Sequence, residues 1–410
     1  MNLKNIFVAL TPYQLFVSYI YAKYIHDIYN CDNTIIYQHS AGIDIRLDDV
    51  AISFIEVPNL NECLKGKIWQ RLYYSGILFY FSPLGKVVNS KFAINLFIFN
   101  DYYPISNNLM KIISKGVDNT ITIIEEGVGM YAISEKRGLS LKDYGRLVFT
   151  ALLGAPMVFR AIAESKEIQY AIVDNIPLYN KKKSAKNQTV LQQHKKKLLA
   201  QSSLFIKAVS EDFDIKVDAN MLYIGQPLAG IVHNRDLEYE YLIKLFSPLV
   251  ENGLKVVIKP HPREDLKKYY RICNELTNIE LLNGLFQTLP VECLIKAIGV
   301  KMVCTFFSSA AVNIANIYSD ISVFMTYAMD ISKSINDWRD NHNNNPMYYD
   351  KKNILRSCYN NIFFIANMED LLGKITQKKL LIEDDKFKEN EDIHFVKGMF
   401  SEIDTIMKRI

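Results

Sequence analysis

The stretch Lys255-Val256-Val257-Ile258-Lys259-Pro260-His261-Pro262-Arg263 places an imidazole where it could do chemistry. A run of apolar β-formers stops at a histidine held between two prolines. Each proline fixes its own φ and moves the preceding residue out of the α region, so the pattern predicts His261 on a stiff, extended strand end. Lys259 and Arg263 flank it, and this combination suits an anionic ligand. A strand that merely ends in a proline-rich turn fits the same residues. In the first half, Ile121-Thr122-Ile123-Ile124 runs into Glu125-Glu126-Gly127-Val128-Gly129. Two carboxylates stand at the start of a glycine turn. Neighbours on a strand-like backbone point opposite ways, so one of the two faces a ligand. The plain alternative is an acidic turn. Met302-Val303-Cys304-Thr305-Phe306-Phe307 leads into Ser308-Ser309, which would cap a helix or present hydroxyls and free N–H groups to a phosphate. Gly225-Gln226-Pro227 ends a further strand in a turn whose bare backbone suits a nucleobase.

These residues need strands that end at the same edge of a sheet. Asn5 to Leu10 is a short apolar run, closed by Thr11-Pro12, and Leu15 to Ile25 then carries apolar residues at helical spacing. Thr11 is placed to cap that helix, with Pro12 at its first position. Further strands are predicted at 33–37, 50–55, 92–99 and 119–124, and a helix at 68–80. A second series follows: a strand at 221–225, a helix at 236–251, the Val256 strand, a helix at 265–276 and a strand at 279–282. A helix at 290–298, the strand at 301–307 and late strands at 321–325 and 362–365 complete it. Apolar runs alternating with helices indicate parallel sheets covered on both faces. The fold class expected is α/β, as two Rossmann-like domains. The boundaries predicted are 1–205 (with a basic linker region, 181–205), 206–387, and a charged amphipathic helix at 388–410.

With 410 residues the chain is too long for one ordinary core, which agrees with two domains. Its 48 basic and 44 acidic side chains leave only +4, so global charge does not point to nucleic acid. Lysines gather at 181–183, 186 and 195–197. They read mainly as a solvated connection, or else as a patch for anionic membrane or a polyanionic glycan. The 25 Tyr and 22 Phe hint at a carbohydrate-facing surface. Six scattered cysteines without a CxxC pair read as reduced thiols. The first residues lack a signal-peptide pattern, and the longest apolar segment, Leu147 to Phe159, falls short of the ~20 residues a membrane span needs. A cytoplasmic protein is the expectation.

Taken in order, Glu125-Glu126-Gly127, Lys259-Pro260-His261-Pro262 and Phe306-Phe307-Ser308-Ser309-Ala310 resemble the marks of the bacterial sialyltransferases, a D/E-D/E-G motif, an HP motif and a downstream S/T pair. That superfamily includes capsule polysialyltransferases and lipooligosaccharide sialyltransferases. The glutamate motif looks closer to the former, and the Thr11-Pro12-Tyr13-Gln14 opening to the latter. The resemblance implies a GT-B fold with the active site between the domains, CMP-sialic acid as donor, and inversion with neither metal nor cofactor. It implies a general base among Glu125 and Glu126, with Glu126 preferred because it adjoins the glycine turn, and His261 acting on the departing CMP phosphate. On the same basis Gly225, Gln226, Lys259, Pro262, Glu292, Ser308 and Ser309 would bind the donor, and Thr11, Gln14 and Gly127 would lie on the acceptor side. Some lipooligosaccharide enzymes carry an aspartate base just after the Gly-x-Pro turn, where this chain has Leu228. That departure favours the glutamate pair. Asp212-Phe213-Asp214 mimics a metal-binding DxD but sits in the linker region, and it reads as surface charge.

The partners so implied are CMP-sialic acid and a capsule or lipooligosaccharide glycan, with peripheral association at the inner membrane face and no nucleic acid. Two other readings compete: a transferase of another activated donor (CMP-Kdo or a CDP-polyol), and a non-catalytic nucleotide- or glycan-binding member.

Overall fold

A computed structural model gives the fold. It describes residues 3–38, 49, 51–58, 72–74, 78–88, 92–131, 148, 162–181, 184–210, 217–228, 235–261, 264–282, 284–329, 360–379 and 395–408. The chain divides into two compact units, Met1–Glu211 with Asp392–Ile410, and Asp212–Glu391. Most of the 68–80 helix, the 147–159 segment, Asp212-Phe213-Asp214, Pro262 and Arg263 lie outside the described residues.

The first unit holds a parallel sheet of strands β1 (Leu3–Ala9), β2 (Asp32–Gln38), β3 (Ile52–Val57), β4 (Ala93–Ile98), β5 (Thr120–Ile124), β6 (Tyr170–Val173) and β7 (Thr189–Gln192). Their spatial order is β3-β2-β1-β4-β5-β6-β7. The central strands are mostly apolar, as strands covered on both faces must be, and every residue of β4 is buried, Asn95 included. Phe7 and Phe97 stack across the β1–β4 pair with ring centroids 4.4 Å apart. The Pro12–Tyr29 helix follows β1, with Thr11 at its N-cap and Pro12 at its first position, as the sequence predicts. Strand order reverses between β1 and β4, and ligands bind beyond the carboxyl ends of strands at such a switch point.

The second unit holds β8 (Met221–Ile224), β9 (Val256–Lys259), β10 (Ile279–Leu281), β11 (Met302–Thr305), β12 (Ser322–Met325) and β13 (Ile362–Phe364), also parallel. Their order is β10-β9-β8-β11-β12-β13, so the reversal falls between β8 and β11. Cys304, buried in β11, and Cys293 belong to this core.

The basic stretch near 181–197 departs from the reading as a solvated connection. It contains β7, the last strand of the first sheet, and Lys195 is only 5% exposed. The two helices that follow, Lys195–Ala200 and Ser202–Val209, also belong to the first unit. At the C-terminus the described helix is Ser401–Met407, and residues 395–400 ahead of it are not helical but end in a turn at 397–400; the part of the expected helix at 388–394 lies outside the described residues. The Ser401–Met407 helix packs on the Pro12–Tyr29 helix. Tyr21 Oη donates to Glu402 Oε1 at 2.9 Å, Tyr24 Oη donates to Asp404 Oδ1 at 2.7 Å, and the Phe400 ring meets both tyrosines edge-on.

Candidate active site

In the first unit β5 delivers two adjacent carboxylates, and the alternation of the backbone gives them opposite fates. Glu125 is 2% exposed and turned inward. Its Oε1 receives the Lys195 ammonium at 2.7 Å, and its Oε2 receives the Asp174 N–H at 2.7 Å and the Tyr131 hydroxyl. The Asn175 N–H in turn donates to Tyr131 Oη at 2.8 Å, so this carboxylate ties the ends of β5 and β6 to the start of the Lys195–Ala200 helix. A charge so buried and so fully partnered is a structural anchor.

Glu126 is half-buried, and its partners come from the other side of the switch point. Thr11 Oγ1 donates to its Oε1 at 2.8 Å, and Gln14 Nε2 donates to its Oε2 at 2.6 Å. The Gln14 amide is itself oriented, because its Oε1 accepts the Leu10 N–H at 2.7 Å. Thr11 also accepts the Gln14 N–H at 3.3 Å as the helix cap. Burial raises the Glu126 carboxyl above the usual carboxylate range, and the Gln14 and Thr11 hydrogen bonds, which favour the charged form, only partly offset it. A carboxylate of raised basicity, held at two oxygens on a strand end, is suited to accept a proton. Gly127 follows in a bend, half-buried, at the mouth of the Val128–Tyr131 turn.

In the second unit the Gln226 side chain bridges the switch point. Its Oε1 accepts the Phe307 N–H at 2.8 Å, while its Nε2 donates to the Phe307 carbonyl. This double bond to backbone fixes the turn that presents Ser308 and Ser309. Ser308 is the extended N-cap residue of the Ser309–Ile317 helix, yet its hydroxyl makes no capping bond to that helix. Ser309 is exposed at the first helical position. Free N–H groups at such an end favour an anion.

His261 is half-buried beyond β9. Glu264 grips its backbone from both directions: the His261 N–H donates to Glu264 Oε2, and the Glu264 N–H donates to the His261 carbonyl at 3.0 Å. Lys268 and Tyr269 also bond the Glu264 carboxylate, and Lys268 bonds Glu238, whose Oε1 accepts the Leu228 N–H at 3.1 Å. Gly225 is required beside this cluster, since a Cβ there would collide with the Glu264 carboxylate and the Tyr269 hydroxyl. Glu264 is the residue that reading the sequence missed. An acid three residues after the histidine, just ahead of a helix, was the available signal.

Lys259 is buried and turned inward, donating to the Gln287 carbonyl at 2.6 Å. Burial lowers it to about 8, against the opposing influence of Glu292 and Glu264. Glu292 lies in the first turn of the Val291–Ile298 helix, buried, and accepts from Asn313 Nδ2 at 3.0 Å. The two residues are therefore electrostatic neighbours on one flank of the second sheet. Leu228, where an aspartate base was absent, is buried in the core. Among the described residues no three His, Cys, Asp or Glu side chains gather as a metal site. Among them also, no helix is long and apolar enough to cross a membrane.

Two parallel sheets with helices on both faces are the architecture of GT-B glycosyltransferases and of related sugar-nucleotide enzymes. A Photobacterium sp. JT-ISH-224 2,6-sialyltransferase, solved with CMP and lactose, superposes with a TM-score of 0.55 over 88% of this chain and 78% of that one, at 11% identity. The UDP-GlcNAc 2-epimerase of Methanocaldococcus jannaschii gives 0.53 over 99% of both chains at 12% identity. That of Neisseria meningitidis gives 0.51, also over 99% of both, at 11% identity. These likenesses establish the GT-B fold. No curated protein matches the chain in sequence. The family is fixed independently, because the family model for alpha-2,8-polysialyltransferase (POLYST) matches residues 6–327. The chain belongs to that family, and its class of activity is sialyltransferase-type glycosyl transfer.

Proposed function

We propose that this chain is an inverting, metal-independent sialyltransferase that moves sialic acid from CMP-sialic acid to a hydroxyl of a bacterial surface glycan. The observation that carries the reading is the Glu126 carboxylate, held by Thr11 and Gln14 at a switch point and raised in basicity by burial. Glu126 takes the proton of the acceptor hydroxyl as that oxygen attacks the anomeric carbon. The glycosidic bond to CMP breaks through an oxocarbenium-like state, and its electron pair leaves on the phosphate. His261, Ser308, Ser309 and the helix N-terminus behind them stabilise that phosphate. Gly225 and Gln226 shape the turn against the nucleobase of the donor, and Glu292 serves its ribose. Lys259 acts from inside: its ammonium faces backbone carbonyls, and an arriving phosphate would favour its charged form. Peripheral attachment at the inner membrane face belongs to the same proposal.

The direct test is CMP release from CMP-sialic acid with galactose- and sialic-acid-ended acceptors, in EDTA. Turnover lost in EDTA and restored by a divalent metal would overturn metal independence. Turnover with CMP-Kdo or CDP-glycerol but not CMP-sialic acid would reassign the donor. The family match favours a second, narrower reading, repeated addition to a sialic-acid-ended chain, and product length on that acceptor decides it.

His261→Ala is expected to lower kcat by on the order of 10²-fold. A near-normal rate in that variant would remove His261 from the phosphate side. The acid limb of the pH–rate profile is expected above the usual carboxylate range, because Glu126 must be ionised to act and burial raises it. Thr11→Val removes a hydrogen bond that favours the ionised form, so the limb should move to still higher pH. A kcat/KM profile that stays put, or moves to lower pH, would argue that Glu126 is not the base.

A further inference from the structure

Two tyrosines that neither the motifs nor the phosphate chemistry uses, Tyr102 and Tyr103, lie just beyond the carboxyl end of β4, the neighbour of the strand that leads into Glu126. Strand β4 lies between β1 and β5, so the Thr11 and Gln14 bonds to Glu126 reach across its carboxyl end. The chain leaves β4 there as Asn100-Asp101-Tyr102-Tyr103-Pro104. Tyr102 is 36% exposed although it follows a fully buried strand. Its ring stacks on that of Tyr103, with centroids 5.2 Å apart and planes 27° from parallel. This pair is held on a stiff support. The Asp101 carboxylate is fully buried and accepts the N–H groups of Ala163 and Ser165 at 3.0 and 2.9 Å. The Tyr103 N–H donates to Asn100 Oδ1 at 3.2 Å, and its carbonyl accepts the first-turn N–H of the Pro104–Ile113 helix at 2.9 Å. Burial, then Tyr103 and the Glu126 charge, push the Tyr102 phenol up to about 12, which keeps it neutral and places it within electrostatic reach of the carboxylate.

We propose that Tyr102, backed by Tyr103, is the platform on which the terminal pyranose ring of the acceptor glycan stacks, setting its hydroxyl against Glu126. The inference rests on the glycosyl-transfer reading of Glu126 and names the acceptor subsite for it. A pyranose has a C–H face and a hydroxyl rim. An exposed phenol ring with a polar tip offers a matching apolar face and edge, and a second ring beneath holds it in one orientation. The stack needs no charge on the sugar, so recognition comes from ring shape, and the carboxylate nearby selects which hydroxyl is deprotonated.

The test compares wild type, Tyr102→Ala and Tyr102→Phe in two measurements. Saturation-transfer NMR reads binding of lactose, sialyllactose and a short α2,8-linked oligosialic acid. Steady-state kinetics with CMP-sialic acid read the KM values for acceptor and for donor. Tyr102→Ala is expected to weaken glycan binding and raise the acceptor KM by about tenfold. The donor KM and the thermal midpoint should hold, and Tyr102→Phe should keep wild-type affinity because the face is intact. An unchanged acceptor KM in Tyr102→Ala, an equal rise in both KM values, or no binding of any of the three glycans by wild type would each overturn the platform. Tyr102-dependent glycan binding in a wild type that transfers no sialic acid would instead uphold the platform and refute the assigned reaction.

Discussion

Glu126→Gln is expected to lower kcat by about 10²–10⁴-fold while leaving the fold intact. The argument turns on what the two neighbouring carboxylates do. The Glu126 amide isostere keeps the shape of the side chain and still accepts a hydrogen bond from Thr11 or Gln14. It cannot take a proton from a hydroxyl. Because burial disfavours the charged carboxylate at this position, the neutral amide removes a desolvation cost, and stability should hold within about 1 kcal/mol. The donor KM should be unchanged, since the residues proposed to hold the nucleotide lie in the second unit. Glu125→Gln is the informative contrast. It strips the Lys195 ammonium of its carboxylate and weakens the anchor shared by Tyr131 and the Asp174 N–H. Its loss of rate should therefore come with a lowered thermal midpoint. The measurements are kcat, donor KM and Tm for both variants. A Glu126→Gln enzyme with wild-type kcat, or a Glu125→Gln enzyme that is inactive yet fully stable, would transfer the base role to Glu125.

The strands that carry these groups were legible because parallel strands buried on both faces are mostly apolar along their length. Runs such as Ala93–Ile98 and Val256–Lys259 announce themselves, and Glu-Glu-Gly, the proline-clamped histidine and Ser-Ser mark their ends. The strands β6 and β7 were not read from the sequence. β7 is an edge strand, half polar and set among lysines, so its composition is that of a surface loop. For the same reason Lys195 looked solvated. Its partner is 70 residues away in sequence, and only the β5–β6–β7 register brings the two together. Which of the two glutamates turns inward was legible only as an alternation. The Tyr131 and Lys195 contacts that turn Glu125 inward are tertiary facts. Tyr102 was hidden differently, as one tyrosine among 25, and only the crossing of the Thr11–Glu126 bridge over β4 singles it out.

Lys195→Met should destabilise the first unit by about 3–5 kcal/mol, because it leaves the buried Glu125 carboxylate without its cation. The pair is closed to water on both sides, with side chains 4% and 3% exposed, so solvent does not screen the loss as it would at the surface. Methionine keeps much of the lysine stem's volume, so the effect isolates the charge rather than a cavity. For a unit of this size the thermal midpoint should fall by about 10 °C. The double variant Glu125→Gln/Lys195→Met, which removes both charges, should recover a large part of that loss. A buried ion pair replaced as a whole costs far less than one broken in half. Activity should follow the same order, since the anchor fixes the backbone from which Glu126 projects: weakest in Lys195→Met, stronger in the double variant. A single variant with near-wild-type Tm would mean that Lys195 contributes little beyond packing. A double variant less stable than either single would mean that the two residues are not coupled through one another. The expected ordering, single below double below wild type, would make Lys195 part of what holds the proposed base in place.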